Sequence, residues 1–273
     1  MTYSAVPRPA IDTALVAQLE AAHEWAVHNF VISVQERRPA LQADAISIAG
    51  GRALYVGPSP FSFAVNLGIG RPVTPRDLDQ VEHFYAQHGV PTKVDVTPAT
   101  HRSLSQLIQE RGYRVADLTA VLVLDAQNAD IAPPAPEIQL RWARAEDCDL
   151  WVDTVAHNFF VTEPGRDRRN NIACVFHAPH ALNVIAMIDG KVAGVAGCMI
   201  PHNGGMAIVY ASCTVLEYRR KGVHREMLRL RVNAARAAGC DAIMATALPG
   251  SDSERNLVRC GFDTCYVKTT WAK

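Results

Sequence analysis

Residues 206–224 read MAIVYASCTVLEYRRKGVH. Met206 to Val215 is rich in β-branched, small and aromatic residues, so it predicts a strand. The basic run Arg219-Arg220-Lys221 follows, then Gly222, and then a stretch whose apolar residues include Met227, Leu228, Leu230 and Val232, which predicts a helix. A strand, a tight basic turn with one glycine and a helix have a physical use in this order. The first N–H groups of a helix have no partner within it, and they point where the positive end of the helix dipole lies. A pyrophosphate placed there is bound by backbone donors, and a glycine lets the backbone approach it closely.

Working outward, the helix from His224 to Ala238 closes at Gly239. A strand over Asp241–Thr246 follows, then a helix around Ser253–Cys260, the pair Gly261-Phe262 and a strand over Cys265–Thr269. The first half of the chain has the same order. A helix over Asp77–His88 carries Leu78, Val81, Phe84 and Tyr85 on one face and stops at Gly89. A strand over Thr92–Val96, a helix over Ser103–Arg111, Gly112-Tyr113 and a strand over Leu118–Leu124 come next. Gly89 and Gly239 lie 150 residues apart, and Tyr113 and Phe262 lie 149 apart. Matching element order and matching glycine stops predict two tandem copies of one α/β fold with mixed sheets. The polar, proline-rich stretch around 126–136 reads as an extended break between them. The expected organisation is an N-terminal lobe at 1–130, a linker at 131–136 and a second lobe at 137–273.

Composition narrows the function. The 273 residues hold 27 basic and 27 acidic side chains and are 49% hydrophobic. That balance gives no basic excess for nucleic acid and no reason to adhere to an anionic membrane. No apolar run approaches a membrane span, and the N-terminus lacks the pattern of a secretory signal. The seven cysteines all fall after residue 147 without a CxxC pair, so they predict reduced thiols and no zinc site. A cytoplasmic protein is expected. There is no GxxxxGK[ST] and no GxGxxG opening a βαβ unit, which leaves P-loop and dinucleotide folds unsupported.

Arg219-x-x-Gly222-x-His224 after a strand, with Glu217-Tyr218 before it and Arg259-Cys260-Gly261-Phe262 later, resembles the GCN5-related N-acetyltransferase (GNAT) family over residues 138–273. The resemblance implies two GNAT-like acyl-CoA N-acyltransferase lobes, with acetyl-CoA as cosubstrate and no metal. Backbone groups of Cys213, Thr214 and Val215 would meet the pantetheine arm. Arg219, Arg220, Lys221, Gly222, Val223 and His224 would hold the pyrophosphate, with Ser253 and Asn256 nearby. The acetyl group would pass directly to a primary amine on a small molecule or peptide.

Two departures stand out. His224 replaces the family's Gly or Ala, so its side chain must point away from the phosphate. Leu257 occupies the position of the family's frequent proton-donating tyrosine. Tyr210, His177 and Glu163 are candidates for proton transfer, with His157 and His180 as further histidines on the acceptor side. Cys213 reads as a buried strand cysteine and not as a nucleophile.

The corresponding turn of the first half, Ile69-Gly70-Arg71-Pro72-Val73-Thr74, lacks two donors at Pro72 and Pro75. It opens a helix with Asp77 and Asp79, which repel phosphate. The N-terminal copy therefore reads as degenerate, covering the acceptor cleft or stabilising its partner. Phe61, Phe63, Asn66, Gly68 and Gly70 form an expected loop at the lobe interface. A monomer or a homodimer fits a tandem repeat. The competing reading is a non-catalytic acetyl-CoA-binding sensor or interaction protein.

Overall fold

The computed structural model describes residues 12–127, 129, 135–159 and 165–273. In chain order its elements are α1 (Thr13–Arg37), β1 (Asp44–Ile48), β2 (Gly51–Tyr55), β3 (Ala64–Val65), α2 (Pro75–Gln87), β4 (Lys93–Val96), α3 (Arg102–Glu110) and β5 (Arg114–Asp125). The second half continues with β6 (Gln139–Trp142), α4 (Cys148–Phe159), α5 (Arg166–Phe176), β7 (Ala181–Ile188), β8 (Lys191–Met199), β9 (Gly205–Thr214), α6 (Val223–Ala237), β10 (Cys240–Ala247), α7 (Asp252–Arg259) and β11 (Asp263–Ala272). The break expected at 131–136 lies, for its first four residues, outside those described.

One mixed sheet of eleven strands runs through the molecule in the order β1-β2-β3-β4-β11-β5-β10-β9-β8-β7-β6. The repeat is visible in it. β4, α3 and β5 correspond to β10, α7 and β11, and the two halves exchange their last strands. β11 inserts beside β4, with Thr269 opposite Val96. β5 in turn pairs antiparallel with β10, with Leu122 opposite Ala245. β5 and β11 also pair with each other, Val267 opposite Ala120. With partners on both edges, β5 is ordered over twelve residues, well beyond the expected Leu118–Leu124.

Helices cover both faces of the sheet. On one, α6 and α7 bury Leu228, Val232 and Leu257 against Ala120, Leu122, Val209 and Ile243. On the same face α2 and α3 bury Leu78, Val81, Leu104 and Ile108 against Ala53 and Val94. On the other, Val16 and Leu19 of α1 lie over Val121, Ile208, Met244 and Tyr266, so a helix of the first half caps strands of both halves. Trp151 of α4 and Phe176 of α5 pack there against Ile185, Val195 and Cys213.

Where α1 crosses β11 the interior is charged. Lys268 Nζ lies 3.2 Å from Glu20 Oε2 and 3.2 Å from Asp95 Oδ2. Tyr266 donates its hydroxyl to Glu20 Oε1 at 2.7 Å, and Thr270 donates to Asp95 Oδ1 at 2.7 Å. Lys268, Glu20 and Asp95 are only 3%, 0% and 3% exposed. His23 Nδ1 sits 3.1 Å from the ammonium. Burial, and then the charge of Lys268, hold its pKa down to about 3. An unfolded His23 takes up its proton near pH 6.5. The unfolded state therefore binds more protons between these values, and stability falls as pH drops from about 6.5 towards 3. His23→Gln is expected to flatten that acid limb in denaturant titrations at stepped pH.

Candidate functional site

β9 and β10 run parallel from Cys240 opposite Gly205 to Ala245 opposite Val209, with one register shift between Cys240 and Ala242. Beyond that pair they part. β10 keeps its other partner β5 as far as Ala247, and β9 keeps β8 as far as Thr214 opposite Gly194. The facing edges of β9 and β10 thus carry backbone groups without a ladder partner on that side. β9 also gains one residue relative to β8 between the pairs Gly197–Tyr210 and Val195–Cys213. Ala211, with φ +47°, lies in this bulge.

The basic turn stands at the mouth of the opening. Leu216–Tyr218 form one 3₁₀ turn, and Arg219 donates Nε to the Thr214 carbonyl at 3.4 Å. Arg220 and Gly222 both take positive φ, 63° and 87°. Alternation of this kind makes successive N–H groups converge into an anion-binding concavity. Gly222 is the N-cap of α6, and no side chain caps the helix. The nearest carboxylate in its first turn, Glu226, is buried and engaged by Arg229 at 2.9 Å. Arg219, Arg220 and Lys221 are exposed, with Lys221 Nζ 5.2 Å over the Tyr218 ring. His224 is partly buried. Burial, reinforced by Arg231, holds its pKa near 4, so it is neutral at pH 7.

The same place in the first half is closed. β3 and β4 pair in parallel only at Ala64 opposite Val94. Past that point His101 N–H donates to the Gly68 carbonyl at 2.9 Å, which ties the segment before α3 across the gap. The start of α2 has its own anion: Thr74 accepts from Asp77 N–H at 3.2 Å, and Asp77 Oδ2 accepts from Thr74 N–H at 2.8 Å. Arg71 neutralises Asp77 at 3.1 Å and holds its carboxyl near 2.

The other expected residues spread more widely. Cys213 is buried; its thiol leans on the Thr154 carbonyl at 3.7 Å, and burial raises its pKa to about 12, which suits a packed thiol and not a nucleophile. Val215 donates its N–H to Ala193. On α7, Ser253 is exposed and Asn256 accepts from Arg259 at 2.9 Å. The cap of that helix is Ser251, whose hydroxyl accepts from Glu254 N–H, so the helix starts one residue earlier than expected. Leu257 is core.

Tyr210 belongs to β9, but its ring lies back over Gly197 of β8, away from β10; a Cβ at Gly197 would collide with it. Burial raises its pKa, so the phenol stays protonated. His177 caps α5 and lines a cleft of about 270 Å³ with Trp142, Phe176 and Asn183 at the β6–β7 edge. That is two strand spacings, roughly 10 Å, from β9. Tyr210 and His177 are therefore not brought together at the opening. Burial, then Arg37, lowers the His177 pKa. His157 bonds the Asp153 carbonyl at 2.7 Å. His180 has φ +63° and its ring meets Trp25 and His202. Glu163 lies outside the described residues. Among those described, no cluster of His, Cys, Asp or Glu could hold a metal ion, and no helix is long and apolar enough to cross a membrane.

Sequence reasoning missed Asn183, Gly197 and Arg231. Arg231 is a buried arginine that joins α6 to β8 by donating to the Met227 and Gly197 carbonyls at 3.0 Å each. Its position inside the apolar stripe of α6 was the available signal.

Comparison with known proteins agrees with this geometry. The family described as "Acetyltransferase (GNAT) family" matches residues 148–262. No curated protein matches the chain. Among solved structures, a GCN5-related N-acetyltransferase from Kribbella flavida aligns at 14% identity, with a TM-score of 0.64, over 89% of this chain and 95% of its own. A tandem GNAT protein from the clavulanic acid biosynthesis pathway aligns at 13% identity, with a TM-score of 0.61, over 98% and 97%. A conserved protein of unknown function from Staphylococcus epidermidis aligns at 11% identity, with a TM-score of 0.61, over 85% and 94%. At these identities the structures speak for the fold. Residues 148–262 are a GNAT domain, and the chain as a whole has the fold of the tandem GNAT proteins, with an N-terminal copy whose own turn is closed.

Proposed function

We propose that this protein is an acyl-CoA-dependent N-acyltransferase that moves an acetyl group from acetyl-CoA to a primary amine of a small molecule or peptide. The observation that carries this reading is the parting of β9 and β10 beyond Val209–Ala245, directly below an uncapped helix start at Gly222. The residues present fit a coenzyme A thioester. The converging N–H groups of Arg220 to His224, with the Arg219, Arg220 and Lys221 side chains around them, suit the pyrophosphate. The open edge of β9 at Cys213 and Thr214 suits the amide-bearing pantetheine arm, with Ser253 and Asn256 on α7 proposed beside it; Val215, expected there too, has its N–H on Ala193 and its carbonyl on Tyr218. The thioester supplies an activated acyl carbon.

The chain's part in the chemistry is positional and electrostatic. It holds the amine against that carbon and excludes competing water. In this reading a backbone N–H beside the β9 bulge at Ala211 polarises the acyl oxygen. The amine nitrogen forms the new bond to carbon and loses a proton, the carbon–sulfur bond breaks, and CoA leaves as a thiol. Leu257 offers no proton to the departing sulfur, so water serves it. A cytoplasmic location and a monomeric or homodimeric state complete the proposal.

Incubation with acetyl-CoA and an amine panel, with free thiol followed over time, tests it. Acceptor-dependent thiol release is expected. CoA binding without turnover on any amine would replace the enzyme by an acetyl-CoA sensor, and absence of CoA binding would overturn both readings.

A further inference from the structure

One row of residues crosses three strands beneath α4 and α5: Asn183 on β7 stands opposite Gly197 on β8, and Gly197 stands opposite Tyr210 on β9. All three face the same side of the sheet. Because Gly197 has no side chain, the Tyr210 ring lies flat across β8 towards Asn183; any Cβ there would penetrate the ring. A tyrosine lying along the row spans more than one strand spacing of about 4.8 Å. Two buried polar atoms of this row have no hydrogen-bond partner among the described residues, the Tyr210 hydroxyl and Asn183 Oδ1. Asn183 is 5% exposed, and its Nδ2 is committed to the Phe176 carbonyl at 2.8 Å. That bond settles the orientation of the amide, so the free atom is the acceptor oxygen. Unpartnered buried polar atoms are costly, and two in one row that starts at β9 and runs away from the opening to β7 call for a partner. The row is not sealed from solvent, because Asn183 also lines the cleft shared with His177 and Phe176.

Resting on the acyl-transfer reading, we propose that Tyr210 and Asn183 form the wall that recognises the acceptor, receiving an uncharged N–H group such as a carboxamide or peptide amide that lies next to the reacting amine. The free amide oxygen accepts one such hydrogen, and the phenol oxygen accepts a second or donates to the neighbouring carbonyl. No carboxylate belongs to the row, so a second ammonium would be buried without a counter-charge, which favours a neutral group. Tyr210 thus acts in binding and orientation, and Gly197 is the space that lets it do so.

The test compares an amino-acid amide with the methyl ester of the same amino acid, two neutral acceptors that differ in the N–H group. CoA binding is measured first by calorimetry, so that failure of the acyl-transfer reading shows up separately. With CoA bound and thiol released, the wild type is expected to prefer the amide in kcat/KM by about tenfold. Tyr210→Phe removes only a hydroxyl that has no partner, so its thermal midpoint should stay level or rise. Its KM for the amide should rise several-fold, with kcat and CoA affinity little changed and the amide-over-ester preference reduced. Gly197→Ala should lose the same preference by displacing the ring. Equal use of amide and ester by the wild type, or an unaltered preference in Tyr210→Phe, would overturn the proposal and leave the row to an ordered water.

Discussion

Gly222→Asp is expected to abolish CoA binding at a modest cost in stability. Gly222 sits at φ +87° as the N-cap of α6, and the space around a Cβ there is open apart from ordinary contacts with Arg225 and Ile138. Aspartate tolerates the left-handed region better than most residues. A side-chain N-cap contributes about 1 kcal/mol from the extended backbone that Thr74 has, at φ −97° and ψ 161°, whereas Gly222 stands at φ +87° and ψ −3°. The aspartate charge favours the helix start by ~0.3–1 kcal/mol. The backbone strain of a side chain at that φ, about 1–3 kcal/mol, outweighs the charge term and lowers stability slightly. The new carboxylate would occupy the N–H groups that otherwise meet a pyrophosphate and would repel it as well. The N-terminal half carries a carboxylate of its own at the matching helix start, Asp77, three residues after the N-cap Thr74. A loss of CoA affinity of at least 100-fold, measured by calorimetry, with a thermal midpoint lowered by only a few degrees is the expected pair of results. Retained CoA binding would place the cofactor elsewhere.

The largest expected loss of stability comes from Lys268→Met. The ammonium is buried between Glu20 and Asp95. Burial works against its charge, but the two carboxylates outweigh that and raise its pKa above the ordinary lysine value. Its contribution is therefore complete at every pH below the unfolded value of about 10.5 and is lost only as pH rises through the still higher folded value. Methionine keeps the volume and deletes the charge, leaving two carboxylates uncompensated in a dry interior. Breaking such a group costs about 3–5 kcal/mol, which for a chain of this size lowers the thermal midpoint by roughly 10 °C. Glu20→Gln and Asp95→Asn added to Lys268→Met should restore most of the loss, since the penalty lies in the unpaired charges. The network also pins β11 of the second half between α1 and β4 of the first. A single unfolding transition is expected in the wild type; two separate ones would show that the halves are not coupled through the exchanged strands.

Much of this molecule could be read from local pattern. Helix α6 begins within one residue of its expected start because Gly222 and the apolar spacing of Met227, Leu228 and Val232 are local signals. The 150-residue repeat appears in the structure as corresponding pairs, α3 with α7 and β4 with β10, because each unit needs the same glycine stops at the same places. The closure of the N-terminal turn was legible in Pro72, Pro75 and Asp77, since missing donors and added anions act on a helix start whatever surrounds it. The exchange of β5 and β11 was not legible. Both strands suit either half by composition, and their placement rests on pairings such as Leu122 with Ala245 and Thr269 with Val96 between residues far apart in sequence. Nothing local marks Lys268 as buried, because its partners lie 248 and 173 residues away in sequence.

Local sequence thus set the elements, their repetition and the basic glycine turn, because capping, periodicity and glycine conformations are short-range effects carried by neighbouring residues. Tertiary structure alone decided where β9 and β10 part, which strand each half lends to the other, and that Tyr210 lies across Gly197 towards Asn183. Those outcomes depend on sheet register and side-chain packing between distant segments, and register is set by the whole assembled core.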